Sequence, residues 1–344
     1  MHVKEIVLKN FRNHTDLKLT FDSNINIIVG NNGVGKTNIL EAIHLIATTK
    51  SIKAKYDKEL INTEKDFCTI TLFTHYDSLE LQVVKKDLSN NSSKKVKINK
   101  TPKALSKFAG YFNCVLFTPS DIEYITGSPS IRRKYIDSIL VQVSTEYKKN
   151  LNLYTKAVRQ RNKLLQLINE KKQSIDQLDY WNNVILKLGE YIQKYRYDFF
   201  NFVDNNIDEF NNQLNKGNHK VKVNYLINKI DSARLEQYKY TEIAAKSTLV
   251  GPHRDDFEIM FNGNNIAYFG SRGQQRTAIM ALKLCEIEYI KLKKQEEPVL
   301  LLDDIFSELD DDHKNTVLET LKNRQTIISS TDVPNFLNGH IIKL

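Results

Sequence analysis

GNNGVGKT, Gly30 to Thr37, decides how the rest of the chain is read. It matches G-x-x-x-x-G-K-[ST] in full, preceded by the β-branched run INIIV and followed by TNILEAIHLIA, whose Leu40, Ile43, Leu45 and Ile46 fall on one helical side. Strand, glycine-rich loop, helix is the context the motif requires. Glycines let backbone N–H groups turn toward phosphate oxygens, and the helix N-terminus adds its dipole. Lys36 is expected to neutralise the β/γ-phosphates and the Thr37 hydroxyl to ligate Mg²⁺. The predicted nucleotide-binding set is Gly30, Asn31, Asn32, Gly33, Val34, Gly35, Lys36, Thr37 and Asn38.

A phosphate loop needs an acidic partner, and PVLLLDDIFSELD, Pro298 to Asp310, supplies one. Val299 to Leu302 form an apolar run typical of a strand buried on both faces, with two carboxylates at its carboxyl end, where α/β sheets hold ligands. Asp303 is expected to hold the Mg²⁺ through water, and Asp304 to orient or deprotonate the attacking water. With Lys36 they form the predicted catalytic set. A helix-capping role suits Asp310, Asp311 and Asp312 better. Most of the chain lies between loop and acids, so the nucleotide core is split by what is inserted.

At 344 residues the chain is long enough for one large domain with an insertion, or for two lobes. No run is apolar enough for a membrane span, and MHVKEIVLKNF lacks the features of a signal peptide, so a cytoplasmic protein is expected. The three cysteines, Cys68, Cys114 and Cys285, lie far apart among apolar neighbours and read as small buried hydrophobes. A formal charge of +9 supports a polyanionic partner only weakly, because a solvated basic surface gives the same total.

HVKEIVLKNF, DLKLTF and INIIVG read as strands, as do residues 67–75, 79–86 and 95–99, with DLSNNSSK connecting a hairpin. Thr101 and Pro102 suggest the start of a short helix before a strand in YFNCVLF. From Ile131 to Leu214 two heptad seams appear, one from Ile136 through Tyr147 and Arg161 to Ile168, the other from Leu178 through Ile192 to Phe202. A reversal at EKKQSID makes an antiparallel hairpin with arms of about 50 Å, a lever or docking arm, or alternatively two ordinary packed helices. Strands return in VKVNYLI and DDFEIMF, then a long helix from Gln274, the acidic strand, a helix to about Leu321, and strands QTIISST and HIIKL. The expected class is α/β, an ABC-type ATPase head of mixed sheets and flanking helices around an inserted all-α hairpin lobe. The boundaries are 1–130, 131–215 and 216–344.

GSRGQQRTAIMALK, Gly270 to Lys283, has neither metal ligands nor a nucleophile and base. A Ser-x-Gly-Gln turn capping a long helix shortly before the acidic strand resembles the signature motif of ABC-type ATPases. Ser271, Gly273 and Gln274 would then form an anion-binding surface that completes the γ-phosphate site of a partner subunit. NFRNH, GNNGVGKTNILEAI, VLFTPSDIEYITGSPSIRRKYID, GPHRDDFEI, GSRGQQRTAIMALKL and LLLDDIFSELD occur in the order and spacing of bacterial RecF proteins, so the whole chain resembles that family.

The resemblance implies an ATP-dependent DNA-binding homodimer with ATP and Mg²⁺ as cofactors, acting with RecO and RecR at single-strand gaps and stalled forks in DNA repair and replication. It also implies a weak DNA-dependent ATPase, slowed by Asp304 where related ATPases more often carry glutamate. The nucleotide-binding subunit of a transporter, and a DNA clamp in which turnover is incidental, are the alternatives. Thr118 to Asp121 stand near where a Q-loop would fall, and Ser330 and Thr331 where a switch histidine is expected. Arg12, Asn13 and His14 face nucleotide or form a structural turn. Arg132–Arg133 and Lys94, Lys95, Lys97, Lys100 and Lys103 contact DNA or are solvated. His253 reads as structural, and the DNA-binding residues are unassigned.

Overall fold

A computed structural model of the chain describes residues 1–86, 92–214, 219–308, 324–333 and 338–344. The hairpin of β1 (Glu5–Phe11) and β2 (His14–Thr20) leads to β3 (Ile25–Val29), the phosphate loop and α1 (Lys36–Thr48). Four more strands, β4 (Phe67–Phe73), β5 (Ser78–Lys85), β6 (Ser92–Ile98) and β7 (Thr101–Lys103), extend that hairpin into an antiparallel sheet of order β2-β1-β4-β5-β6-β7. α2 (Leu105–Phe108) precedes β8 (Cys114–Phe117), and helices follow: α3 (Glu123–Thr126), α4 (Pro129–Val143), α5 (Thr145–Asn169) and α6 (Leu178–Leu214). The chain returns through β9 (Val221–Leu226), α7 (Ser232–Ala245), β10 (Asp256–Phe261), β11 (Asn264–Asn265), α8 (Ile266–Phe269) and α9 (Arg272–Lys294). It closes with β12 (Val299–Asp303), β13 (Thr326–Ser330) and β14 (His340–Lys343), which join β3 and β8 in a parallel sheet of order β14-β3-β13-β12-β8.

Strand pleating assigns alternate residues of the parallel sheet to two cores. Val299, Leu301, Ile327 and Leu116 face α1 and the inner side of the antiparallel sheet, among them Ile6, Leu8, Ile70 and Leu81. Leu300, Leu302, Ile328 and Phe117 face α9 and the helical region. The parallel sheet is thus a middle layer, which explains why its strands read as unbroken apolar runs. No helix among the described residues is long and apolar enough to cross a membrane.

Two sequence expectations need correction. Thr101 and Pro102 do not open a helix: Asn99 and Lys100 adopt φ of 51° and 64°, a tight hairpin that pairs Pro102 with Lys97 on the sheet edge. The helix begins after Ala104 instead. Likewise the first heptad seam is not one helix, because Ser144 leaves helical geometry (φ −143°, ψ 113°) and caps α5 by accepting from the Tyr147 N–H. Periodicity carries across the break since Tyr147 is fully buried in the same core as Leu140. The hairpin connection around Asp87–Asn91, the helix expected to reach Leu321 and Asp310–Asp312 lie outside the described residues.

The reversal at EKKQSID is present between α5 and α6. α6, with 37 residues, is about 55 Å long. Its second half does not stand free: Phe199, Phe200, Val203 and Ile207 share the core of α9, β9 and β10. Buried arginines tie these helices to one another and to the turn before β10. Arg161 donates to Glu242 (2.6 Å), Thr248 (2.9 Å) and Asn182 (2.9 Å). Arg196 reaches Asp137 (2.9 Å), Asp255 (3.0 Å) and the Pro252 carbonyl (2.6 Å).

Asp255 also accepts from Gln193, Tyr225 and the Asn228 N–H, which gives GPHRDD its role as a junction. His253 sits in that junction with Nε2 donating to the Thr248 carbonyl, so Nδ1 accepts from Tyr154. The ring is therefore neutral, and burial pulls its pKa down to about 4. Arg132 and Arg133 also bond here, on Asp256 and the Asp255 carbonyl.

Candidate nucleotide site

The phosphate loop joins β3 to α1 and is shaped by one glycine above the others. Gly35 has φ +109°, and a Cβ there would run into His14 and lie 2.7 Å from Asn13. Both contacts come from the turn between β1 and β2. Asn13 donates to the Val34 carbonyl (2.9 Å), His14 Nε2 to the Gly35 carbonyl (3.1 Å), and Asn38 donates to Asn13 (2.8 Å). Occupied on their outer side, these carbonyls fix the peptide planes of the loop. Arg12 points elsewhere, gripping Glu41 through two N–H groups (2.9 and 3.0 Å) and the Glu59 carbonyl (2.9 Å). Of the two readings of this turn, Asn13 and His14 support the structural one, directed at the loop rather than at a base. A polar turn motif alone does not reveal what it clamps, so this contact carries no signal in the local residues.

Lys36 is largely buried and donates to the carbonyls of Gly30 and Asn31. Thr37 donates to Asp303 (2.8 Å), and so does Ser329 from β13 (2.7 Å), so the two predicted metal residues meet although most of the chain separates them. Parallel pairing of β12 with β13 puts Ser329 opposite Asp303. It is Ser329, not Ser330 or Thr331, that reaches the acid; Thr331 bonds Asp332. One carboxylate and two hydroxyls make a hard, oxygen-only donor set. It suits Mg²⁺, which keeps waters and substrate phosphates in its shell and needs few protein ligands. Among the described residues there is no group of three or more His, Cys, Asp or Glu that could hold a metal ion.

Asp304 follows with φ +50°, the left-handed region that aspartate tolerates better than most residues, and its N–H donates to the Ser329 carbonyl (3.1 Å). The tight bend turns the chain at the end of β12 and keeps this carboxylate half-buried next to Asp303. On the other side, β8 pairs with β12 so that Phe117 lies opposite Leu302, which brings Thr118 beside Asp303. Asp121 accepts from the Thr118 N–H (3.0 Å) and hydroxyl (2.8 Å), a capping box that fixes the turn Thr118–Asp121 at the edge of the site. Thr118 and Ser120 line a small crevice with Thr37, His44 and Asp303.

Ser271 caps α9, accepting from the Gln274 N–H (3.3 Å) while Gln274 accepts from the Ser271 N–H (2.9 Å). The box accounts for two residues of the motif by helix capping alone. It does not account for Gly273. An added Cβ there would meet nothing closer than 3.9 Å, although glycine inside a helix costs about 1 kcal/mol relative to alanine. Ser271, Arg272 and Gly273 are exposed, and the first turn holds no acid to complement the helix dipole. Ahead of them, Tyr268 and Phe269 expose 82% and 75% of their surface. Deeper in α9, buried Lys283 donates to the Leu116 carbonyl (2.8 Å) and Glu286 (3.0 Å) and faces Asp121 (3.8 Å), so the helix is fastened to the Thr118–Asp121 turn.

A phosphate loop on a parallel sheet, an acid on a strand two places away and a signature-like helix define a P-loop ATPase head of the ABC/SMC kind. The RecF/RecN/SMC N terminal domain family matches residues 2–339, and the chain belongs to the RecF family. The DNA replication and repair protein RecF of Lachnoclostridium phytofermentans is 38% identical over 345 residues, 99% of this chain and 96% of the relative. A solved structure of the recombination mediator protein RecF-ATPrS in the RecFOR pathway superimposes with a TM-score of 0.88 at 32% identity, covering 100% of this chain and 96% of that one. An Smc head bound to the C-winged helix domain of ScpA shares the fold (TM-score 0.52, 15% identity, 96% of this chain and 90% of that one).

Proposed function

We propose that the chain is an ATP-dependent DNA-binding protein of recombinational repair and replication-fork maintenance that dimerises on ATP through composite nucleotide sites. The observation that carries the dimer is Gly273, exposed at the start of α9 with no neighbour in its own chain to require it. A backbone left bare at a helix N-terminus suits close approach by the phosphate of another subunit's nucleotide. Thr37 and Asp303 would hold Mg²⁺, whose charge would neutralise the phosphates. Lys36 leaves the loop carbonyls for the phosphates, the loop N–H groups orient them, and Asp304 holds or deprotonates the attacking water. A carboxylate one methylene shorter than glutamate makes turnover slow, as befits a weak DNA-dependent ATPase that works as a timed clamp.

DNA at single-strand gap junctions is the expected substrate, with RecO and RecR as partners in loading recombinase; a relative named DNA replication and repair protein RecF and a solved recombination mediator of the RecFOR pathway support a place in DNA repair. The proposal is tested by measuring duplex binding with and without ATP across a salt series. Binding that requires ATP and falls steeply with salt is expected, since each phosphate contact releases counterions. Equal binding without nucleotide would count against it.

A further inference from the structure

We propose that the segment Lys50–Lys58, KSIKAKYDK, receives the phosphate backbone of duplex DNA beside the nucleotide site. This rests on the reading of the chain as an ATP-dependent DNA binder and names the surface it uses. Lys50, Lys53 and Lys55 are exposed, Lys58 is partly exposed, and none of them forms an ion pair among the described residues. On the neighbouring antiparallel sheet Lys94 pairs with Asp57 (2.6 Å), Lys97 with Glu80 (2.7 Å) and Lys18 with Glu5 (2.9 Å), while Lys100 and Lys103 stay exposed. The one acid within the segment is therefore already neutralised. Ile52 and Tyr56 expose 37% and 40% of their surface between the lysines, and the Lys55 ammonium lies 5.4 Å from the Tyr56 ring centre.

A merely solvated lysine run needs no fixed shape, and this one has it. Ser51 donates to Glu41 and accepts from the N–H groups of Lys53 (3.1 Å) and Ala54 (2.8 Å), while Glu59 accepts from the Lys55 N–H (2.9 Å). A segment already ordered loses less entropy when it binds. Glu41, its anchor, stands one turn beyond Thr37 on α1 and is the carboxylate gripped by Arg12. Ile52 and Lys53 line the same crevice as Thr37 and Asp303. Phosphates held by the segment thus lie next to the nucleotide-binding helix, which links DNA affinity to nucleotide occupancy.

The test compares Lys55→Gln/Lys58→Gln with Lys100→Gln/Lys103→Gln, the same charge loss at exposed lysines of the β6–β7 hairpin. The probe is a fluorescein-labelled blunt duplex, with ATP and Mg²⁺ present. Loss of two contacts should weaken binding about tenfold near 0.15 M salt and lower the salt slope by roughly two, each contact contributing about 0.9. The hairpin variant should bind like the parent, and both should bind nucleotide normally. Parental DNA affinity in the segment variant, or equal loss in both, would overturn the assignment while leaving the DNA-binding reading intact. A parent that does not bind duplex at all would overturn that reading and the assignment with it.

Discussion

The two ends of the ATPase machinery are built on opposite plans. At the phosphate loop every conspicuous residue has a partner inside the chain: Lys36 on loop carbonyls, Thr37 on Asp303, and Val34 and Gly35 under Asn13 and His14. At the start of α9 the capping box is internal, but Gly273 and Arg272 face outward without an internal reason. One end is complete within the fold. The other has no counterpart within the chain, the asymmetry that the proposed composite site requires of a single subunit.

The comparison breaks most readily at Gly35. Gly35→Ala must meet both the left-handed backbone and the wall formed by Asn13 and His14, strain of about 2–3 kcal/mol. Nucleotide affinity should fall roughly a hundredfold if that strain is carried by the loop. Titration with a fluorescent ATP analogue measures it, and an unchanged affinity would mean that the loop does not need its present shape. Next in size is Asp304→Asn, which keeps Thr37 and Asp303 and so should keep Mg-ATP binding. Its turnover should drop about a hundredfold or more, the usual worth of a general base, and parental turnover would remove Asp304 from the catalytic role.

Gly273→Ala sharpens the contrast from the other side. Within the chain it should be harmless, raising stability by up to about 0.8 kcal/mol in a denaturant titration. Self-association on ATP should nevertheless weaken, and an unweakened dimer would mean the bare backbone serves no neighbour. A last effect touches stability alone and rests on two buried histidines, one at the helical junction and one on α1. His253 is held neutral with its pKa near 4, and His44, buried on α1, is pushed down to about 3 by burial and by Lys283. The unfolded chain takes up protons on both near the ordinary value of 6.5, so stability is intact above that pH and is lost as pH falls toward 4. At pH 5 each histidine should cost about 2 kcal/mol, and His253→Gln should flatten the pH dependence by one proton.

How much of this could be read from sequence follows from what each feature depends on. The phosphate loop and acidic strand were legible because local residues carry both the chemistry and the context. The order of strands was legible where apolar runs are short and bounded. The break at Ser144 was not, since the heptad spacing runs through it unchanged. Nor were the clamp from Asn13 and His14, the contact of Ser329 with Asp303, or the role of Asp255 under Arg196, because each depends on residues made neighbours only by the folded sheets and helices. The lysines show the same limit. Lys94 looked like its neighbours in sequence, yet it is buried against Asp57 and the Thr49 carbonyl, while Lys53 and Lys55 remain exposed.

The central claim, that α9 serves a neighbour's nucleotide, is tested most directly by sedimentation of the parent and Ser271→Arg with and without ATP. A bulky cation at the cap displaces the turn from a partner's phosphate while leaving the variant's own loop, Lys36 and Thr37 untouched. The expected result is a parent that shifts from monomer to dimer on ATP and a variant that binds ATP with parental affinity but remains a monomer. A Ser271→Arg protein that dimerises on ATP as the parent does would contradict it.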